Sequence, residues 1–250
     1  MNEETLVRMK QLRLHGMHRS FQTLTASKQA DELTPDELVH NLVESEWDER
    51  QHRRIERTTQ HARFRYKSSV EQLDFALQRG LDKNQFLRLA EGGFIREKQN
   101  ILITGPTGTG KSFIASALGH QACQLGLKVL YAHSTKLFAQ LKMAKADGSE
   151  MKELLKIEKQ DLLILDDFGI QPLDAVSRTA LLEIIEDRHG KRSTIFTSQL
   201  PVSKWHEAIG DATVADAILD RIVHDAHRIE LKGESLRKKS IFTKQESETK

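Results

Sequence analysis

Gly105-Pro106-Thr107-Gly108-Thr109-Gly110-Lys111-Ser112 fits the pattern G-x-x-x-x-G-K-[ST] and stands between an apolar run, Ile101 to Thr104, and a helical pattern that begins at Ser112. At average residue usage the pattern arises by chance in roughly one chain in a hundred of this length, and the strand and helix around it make chance rarer still. The placement carries a mechanism. Glycines let the backbone curl so that successive N–H groups face one point, and the helix amino terminus adds positive potential there. The stretch is therefore read as a phosphate loop. Its cradle runs over Gly105, Pro106, Thr107, Gly108, Thr109, Gly110, Lys111, Ser112 and Phe113, with Lys111 reaching the β/γ-phosphate oxygens and the Ser112 hydroxyl ligating Mg²⁺.

A phosphate loop requires a parallel sheet, and the rest of the chain supplies one. From Asn100 onward, short apolar runs (NILIT, VLYA, LLILDD, STIFTS, HRIEL) alternate with helical patterns at Ser112 to Leu125, Thr135 to Lys145 and Val176 to His189. Such alternation predicts an α/β domain with a parallel sheet flanked by helices. Upstream the pattern changes. Residues 1–66 show only helical spacing, so a small all-α domain is expected there, followed by a linker over 67–80, the α/β domain over 81–243 and a polar, disordered tail over 244–250. Thr34-Pro35-Asp36-Glu37 reads as a capping box with proline at the first helical position, and Asp82 with Gln85 as another helix start, closed by Gly92-Gly93.

The run Leu162 to Leu165 ends in two adjacent carboxylates, Asp166 and Asp167. In an open parallel sheet, ligands sit beyond the carboxyl ends of the strands, so carboxylates there face the magnesium of the phosphate loop. Asp166 is assigned to Mg²⁺, directly or through water, and Asp167 to orienting and deprotonating the attacking water. Asp167-Phe168-Gly169 also spells the magnesium triplet of protein kinases, but no H-R-D-L-x-x-x-N precedes it and no A-P-E follows, so that reading fails.

Composition excludes several other classes. No apolar run in the 250 residues approaches the length of a membrane span and no signal-peptide pattern opens the chain, which predicts a cytoplasmic protein without a membrane partner. The single cysteine, Cys123, forbids an internal disulfide and fits a buried thiol. His15 and His18, or His224 and His227, lack companions at metal-site spacing, so no metal beyond Mg²⁺ is expected. Lys and Arg total 38 against 36 Asp and Glu, but the distribution is uneven. Arg50, Arg53, Arg54, Arg57, Arg63, Arg65 and Lys67 are opposed between them only by Glu56, which suits either a solvated helix face or a phosphate-binding patch.

With the loop, the paired aspartates and the strand order in view, the chain resembles the AAA+ P-loop NTPases. More narrowly, RRIERTTQHARFRY, VEQLDFA, GPTGTGKSFIASALGHQA, LLILDDFG, FTSQLPVSKW and DAILDRI resemble the IstB-type helper ATPases of two-gene insertion sequences, over nearly the whole chain. The ATPase part alone also resembles the DnaC helicase loaders. The resemblance implies ATP as nucleotide with Mg²⁺, assembly into a ring or helical homo-oligomer, non-specific duplex DNA and an IstA-like transposase as partners. It also implies roles for individual residues. Gln199 stands at the place of the polar sensor that holds the attacking water; asparagine is commoner there, and Ser198 is a second candidate. Arg221 resembles the arginine finger that acts on the neighbouring subunit's nucleotide, the plainer alternative being an i,i+4 pair with Asp225. Arg237 resembles the second sensor, although little chain follows it to build the usual helical lid. Candidate DNA contacts are Arg53, Arg54, Arg57, Lys136, Lys142, Lys145, Lys191 and Arg192.

The leading expectation is thus an ATP-dependent, DNA-binding oligomeric switch that assists a transposase. The alternatives are a helicase loader with the same engine, a nucleotide-dependent scaffold with negligible hydrolysis, and a metabolic phosphoryl-transfer enzyme. The Arg-rich segment and Arg221 argue against the last.

Overall fold

The computed structural model of the chain describes residues 2–27, 29, 32–75, 77 and 79–236. Two compact units divide at Arg57/Thr58.

The first unit holds α1 (Asn2–Gln11), α2 (His15–Ala26) and the start of α3 (Pro35–Ala62). The capping box at the head of α3 is formed: the Thr34 N–H donates to the Glu37 carboxylate at 2.8 Å, and the Glu37 N–H donates back to the Thr34 hydroxyl at 3.3 Å. α2 and α3 cross at Gly16, where a Cβ would stand 2.1 Å from the Ser45 carbonyl oxygen. The Glu46 carboxylate, only 5% exposed, accepts from the N–H groups of Gly16 (2.8 Å) and Met17 (3.3 Å) at the start of α2. A carboxylate there satisfies two orphan donors and complements the helix dipole. This unit also corrects the charge count made from sequence. Arg50 pairs with Glu46 at 2.7 Å, and Arg53 with Glu49 at 3.3 Å and Glu46 at 3.9 Å, so the arginines are opposed by more than Glu56. The opposing acids stand one helical turn upstream, outside the window in which the arginines cluster.

The second unit is built on five parallel strands in the order β2-β3-β4-β1-β5: β1 (Ile101–Thr104), β2 (Val129–His133), β3 (Leu162–Phe168), β4 (Ser193–Ser198) and β5 (His227–Glu230). β1 and β4 are buried throughout and β3 nearly so, as continuous apolar runs demand of strands covered on both faces. One core lies under α4 (Lys83–Ala90), α5 (Gly93–Arg96) and α6 (Lys111–Gln124). The other lies under α7 (Ser134–Ala146), α8 (Glu150–Glu158), α9 (Ala175–Arg188), α10 (Trp205–Ile209) and α11 (Ala212–Val223). Each predicted strand and helix of this region is present, and Asp82 caps α4 by accepting from the Gln85 N–H at 2.6 Å. α5, α8, α10 and α11 are not among the predicted helices.

Residues 58–66, assigned from sequence to the first domain, belong to this second unit: Ala62 is buried in its core, and Phe64 packs on His120 with centroids 4.1 Å apart. The expected linker packs as well. Val70–Gln72 forms a 3-10 turn, and Leu73 is buried in the same core. Cys123 is fully buried, and burial pushes its thiol up. Register places Thr104 beside Ser198 and Glu230, and His133 beside Asp166. The carboxyl ends of all five strands thus share one edge.

Candidate nucleotide site and the edge opposite

The phosphate loop leaves β1 at that edge. Gly105 donates its N–H to the Ser198 carbonyl at 3.2 Å, which ties the loop to the end of β4. Two of its glycines are required by space and conformation together. At Gly105 (φ +145°) a Cβ would lie 2.3 Å from the Leu231 carbonyl oxygen, and at Gly108 (φ +84°) 2.0 Å from the Ser235 hydroxyl. The Thr109 hydroxyl braces the turn by donating to the Pro106 carbonyl at 2.9 Å. Lys111 begins α6 and folds back over the loop, its ammonium donating at 2.7 Å to the carbonyls of both Gly105 and Pro106. Beside them opens a cavity of about 700 Å³, lined among others by Thr107, Lys111, Ser112, Phe113, Asp167 and Gln199. An ammonium, a helix amino terminus, a serine hydroxyl and carboxylates around one cavity fit a nucleotide triphosphate with a hard divalent cation.

The aspartates show how a strand can aim two consecutive side chains at one place. In regular pleating they would point to opposite faces. Here the register of β3 on β4 shifts between Leu165 and Phe168, and Asp167 adopts φ +59°. A bulge re-aims side chains, and aspartate tolerates the left-handed region better than most residues. The bulge is stabilised from β4, where the Thr197 hydroxyl accepts from the Asp167 N–H at 3.0 Å and itself donates to Asp166 Oδ1 at 2.5 Å. Tyr131 on β2 donates to the other oxygen of Asp166. Burial, reinforced by the neighbouring carboxylate, pushes the Tyr131 phenol up, so it remains a proton donor at working pH. Asp166 is fully buried, whereas the Asp167 side chain keeps 17% exposure and lines the cavity. Arg65 Nη1 bridges the two carboxylates, 3.4 Å from Asp166 and 3.2 Å from Asp167, and His133 Nε2 lies 3.4 Å from Asp167.

The remaining residues singled out from sequence are spread more widely. Gln199 lies in the cavity wall and accepts from the Thr107 hydroxyl at 2.6 Å. Ser198 does not face that wall: it is fully buried, donating to the Phe168 carbonyl at 2.7 Å and accepting from the Leu200 N–H at 3.1 Å. Arg221 stands near the end of α11, ion-paired with Glu186 at 2.8 Å rather than with Asp225. Arg237 lies outside the described residues. Lys136 lines a groove of about 930 Å³ along the open edge of β2. Elsewhere on α7, Lys142 pairs with Asp174 (2.8 Å) and Lys145 with Glu150 (3.9 Å). Lys191 and Arg192 occupy the turn before β4, at the opposite edge of the sheet from the phosphate loop, and Arg192 pairs with Asp161 at 2.9 Å.

Sequence reasoning missed Thr197, Tyr131, His133 and Arg65 as members of the site. Thr197 stood in the same triplet as Gln199, and Arg65 was counted only within the basic cluster. Nothing local marked Tyr131 or His133; only the β2–β3 register brings them to the aspartates.

Comparison with known proteins agrees with this geometry. The family described as "IstB-like ATP binding protein" matches residues 7–244. The "Putative insertion sequence ATP-binding protein y4pL" of Sinorhizobium fredii is 45% identical over 94% of this chain and 96% of its own length. The "Insertion sequence IS21 putative ATP-binding protein" of Pseudomonas aeruginosa is 31% identical over 94% of this chain and 89% of its own. Among solved structures, DnaI superposes with a TM-score of 0.58 at 22% identity, covering 66% of this chain and 92% of that one. AMPPCP-bound DnaA from Aquifex aeolicus gives 0.59 at 19% identity, covering 74% and 56%. At such identities the structural likeness speaks for the fold, that of the AAA+ P-loop ATPase domains.

Proposed function

The chain belongs to the family of IstB-like ATP binding proteins, and from that premise we propose that it hydrolyses ATP between its own subunits, on duplex DNA, to assist a cognate IstA-like transposase. The observation that carries the reading is the bulged Asp166–Asp167 pair set beside the phosphate loop at the carboxyl edge of the sheet. The bulge brings the second carboxylate into the cavity wall, where it suits activation of a water rather than storage of nucleotide.

Bound ATP with Mg²⁺ supplies an electrophilic phosphorus whose oxygens are partly neutralised by the cation. The chain's own residues do the rest. Lys111 and the loop N–H groups would receive the phosphate charge, and Ser112 and Asp166 would hold the cation. Asp167, the more exposed of the pair, orients the attacking water and takes its proton. Gln199, already in contact with Thr107 across the cavity, positions the same water. Arg221 completes the site of a neighbouring subunit, where a guanidinium offsets developing negative charge.

The names of the relatives support transposition over helicase loading, because their similarity includes the amino-terminal region as well as the ATPase core. Single-turnover phosphate release tests the enzyme reading: mixing protein, Mg²⁺·ATP and duplex DNA should release phosphate in an amount that approaches the number of subunits. Nucleotide that stays intact on a DNA-bound assembly would instead identify a scaffold.

A further inference from the structure

Two carboxylates side by side at the tip of a buried strand repel each other, the more so where water is scarce. In this fold the repulsion is answered by a residue from a different part of the chain. Arg65 follows α3, on the stretch leading to the 3-10 turn, and one of its terminal nitrogens lies within 3.4 Å of both Asp166 and Asp167. Tyr66 supports it, with the guanidinium carbon 5.5 Å from the ring centroid, and the Tyr66 ring in turn lies 6.2 Å from that of Phe113, next to Ser112 on α6. Lys111 and Arg79, which also line the cavity, donate to loop carbonyls, Lys111 to those of Gly105 and Pro106 and Arg79 to that of Thr109. Arg65 thus meets both carboxylates with one guanidinium nitrogen, while His133 adds a contact to Asp167 alone.

We propose that Arg65 is a displaceable internal counter-ion for the Asp166–Asp167 pair, competing with the divalent cation for the same carboxylate oxygens. The proposal rests on the nucleotide-site reading above. A guanidinium and a divalent cation cannot share one oxygen face without severe like-charge repulsion, so cation entry requires Arg65 to leave. The fold gives it somewhere to go. Arg65 is 41% exposed and lies in the wall of two cavities, the nucleotide cavity and the groove along β2, whose volume of about 930 Å³ leaves room for a withdrawn guanidinium. Without nucleotide, Arg65 keeps the aspartates neutralised and the site quiet; its withdrawal makes them available together.

The test measures the affinity of the full chain for a fluorescent ATP analogue in EDTA and in excess Mg²⁺, and reads the ratio of the two. In Arg65→Ala the bare carboxylates repel cation-free nucleotide and welcome the cation, so the enhancement by Mg²⁺ should exceed that of the wild type by about fivefold, the upper range for a partly exposed ion pair. Arg65→Lys keeps the charge and should stay within about twofold of the wild-type ratio. Thermal melts with and without Mg²⁺ give a second readout, in which Mg²⁺·nucleotide should raise the melting temperature of Arg65→Ala more than that of the wild type. An equal loss of affinity with and without Mg²⁺ would make Arg65 a phosphate ligand, and an unchanged ratio would make it structural; either overturns the proposal. Lys111→Ala separates the two levels. If it binds the analogue as well as wild type does, the site reading itself falls and the Arg65 proposal with it. If binding depends on Lys111 and the ratio does not move in Arg65→Ala, the counter-ion alone is wrong.

Discussion

The Asn100 side-chain amide donates to the backbone carbonyl of Arg221 at 3.4 Å, and so holds the arginine at the edge of the sheet where β1 begins. The phosphate loop lies where β1 ends. Four strand residues at about 3.3 Å each put roughly 13 Å of sheet between the two, and the Arg221 guanidinium is directed to Glu186 and the Ala217 carbonyl. An arginine so placed stands at the opposite edge of the sheet from its own phosphate loop, as the proposed role in a neighbouring subunit requires.

Arg221→Ala should accordingly bind nucleotide with unchanged affinity and lose about 10³-fold in ATPase rate. Mixed with Lys111→Ala protein it should regain part of the turnover, because each variant contributes what the other lacks to a shared interface. Steady-state hydrolysis across mixing ratios measures this. A mixture no more active than the sum of its parts would remove Arg221 from the mechanism.

Lys111→Ala and Asp167→Asn should fail in different ways. The first removes a cation from the phosphate site and should abolish detectable ATP binding. The second leaves the phosphate contacts intact and should bind ATP while hydrolysing it at least about 10²-fold more slowly, the usual scale for a general base. Equilibrium binding and single-turnover hydrolysis on both proteins distinguish the two; equal loss of affinity would contradict the role given to Asp167.

Much of this site can be read from sequence because its parts are local. Strand, glycine loop and helix are contiguous, and Leu162 to Asp167 announces both a buried strand and its charged tip. What escapes is whatever depends on register. LLILDD does not say that the strand is bulged, since the bulge is held by Thr197 on β4 and shows only when β3 and β4 are paired. Likewise nothing in ARFRY says which arginine turns inward; its neighbours Phe64 and Tyr66 pack on His120 and Phe113, and that anchoring sends Arg65 to the aspartates. α8 was passed over because it is short and follows closely on α7.

Glu46 makes the first unit sensitive to acid. Burial alone would raise its pKa, but the bonds from Arg50, Gly16 and Met17 outweigh burial and hold it below the ordinary 4.5. A carboxylate with a lowered folded pKa adds stability that is fully present above the unfolded pKa and lost as pH falls through the folded one. Helical circular dichroism in denaturant should therefore show wild-type stability dropping as pH falls below about 4.5, and Glu46→Gln should lack that part of the drop while being about 1 to 3 kcal/mol less stable at pH 7. Gly16→Ala should cost about 1 to 3 kcal/mol at every pH, because its methyl meets the Ser45 backbone.

Binding to duplex DNA should be insensitive to sequence and weaken steeply with salt, by about 0.9 in the log–log slope for each phosphate contact. The pairing within α3 refines which arginines count. Arg53 is engaged by the carboxylates of Glu46 and Glu49, whereas Arg57 donates through its Nε to the Arg53 carbonyl at 3.3 Å. Arg57→Ala should lower the slope by about one contact and Arg53→Ala by less. Fluorescence anisotropy over a range of salt measures both; equal effects, or a slope near zero, would contradict the assignment.

ATP and DNA should also strengthen each other's binding through assembly. Basic patches on one subunit give a non-specific dissociation constant on the order of 10⁻⁴ to 10⁻⁶ M, too weak to hold a lone subunit at low concentration. Subunits joined through ATP, with Arg221 of one reaching the next as proposed, would present many such patches at high effective concentration, and avidity would raise affinity by about 10² to 10⁴ without a new contact. Linkage then obliges DNA to favour the ATP-joined state to the same degree. Asp167→Asn protein, expected to hold ATP without hydrolysing it, is the reagent of choice. Titrated onto long and short duplexes, it should bind cooperatively with ATP on a duplex that spans several subunits, and weakly with ADP or on a duplex that spans one. Combining it with Arg221→Ala should abolish the cooperativity while leaving the weak single-subunit affinity in place. If the short duplex bound as tightly as the long one with either nucleotide, assembly would have no part in DNA binding, and a monomeric binding module would replace the switch.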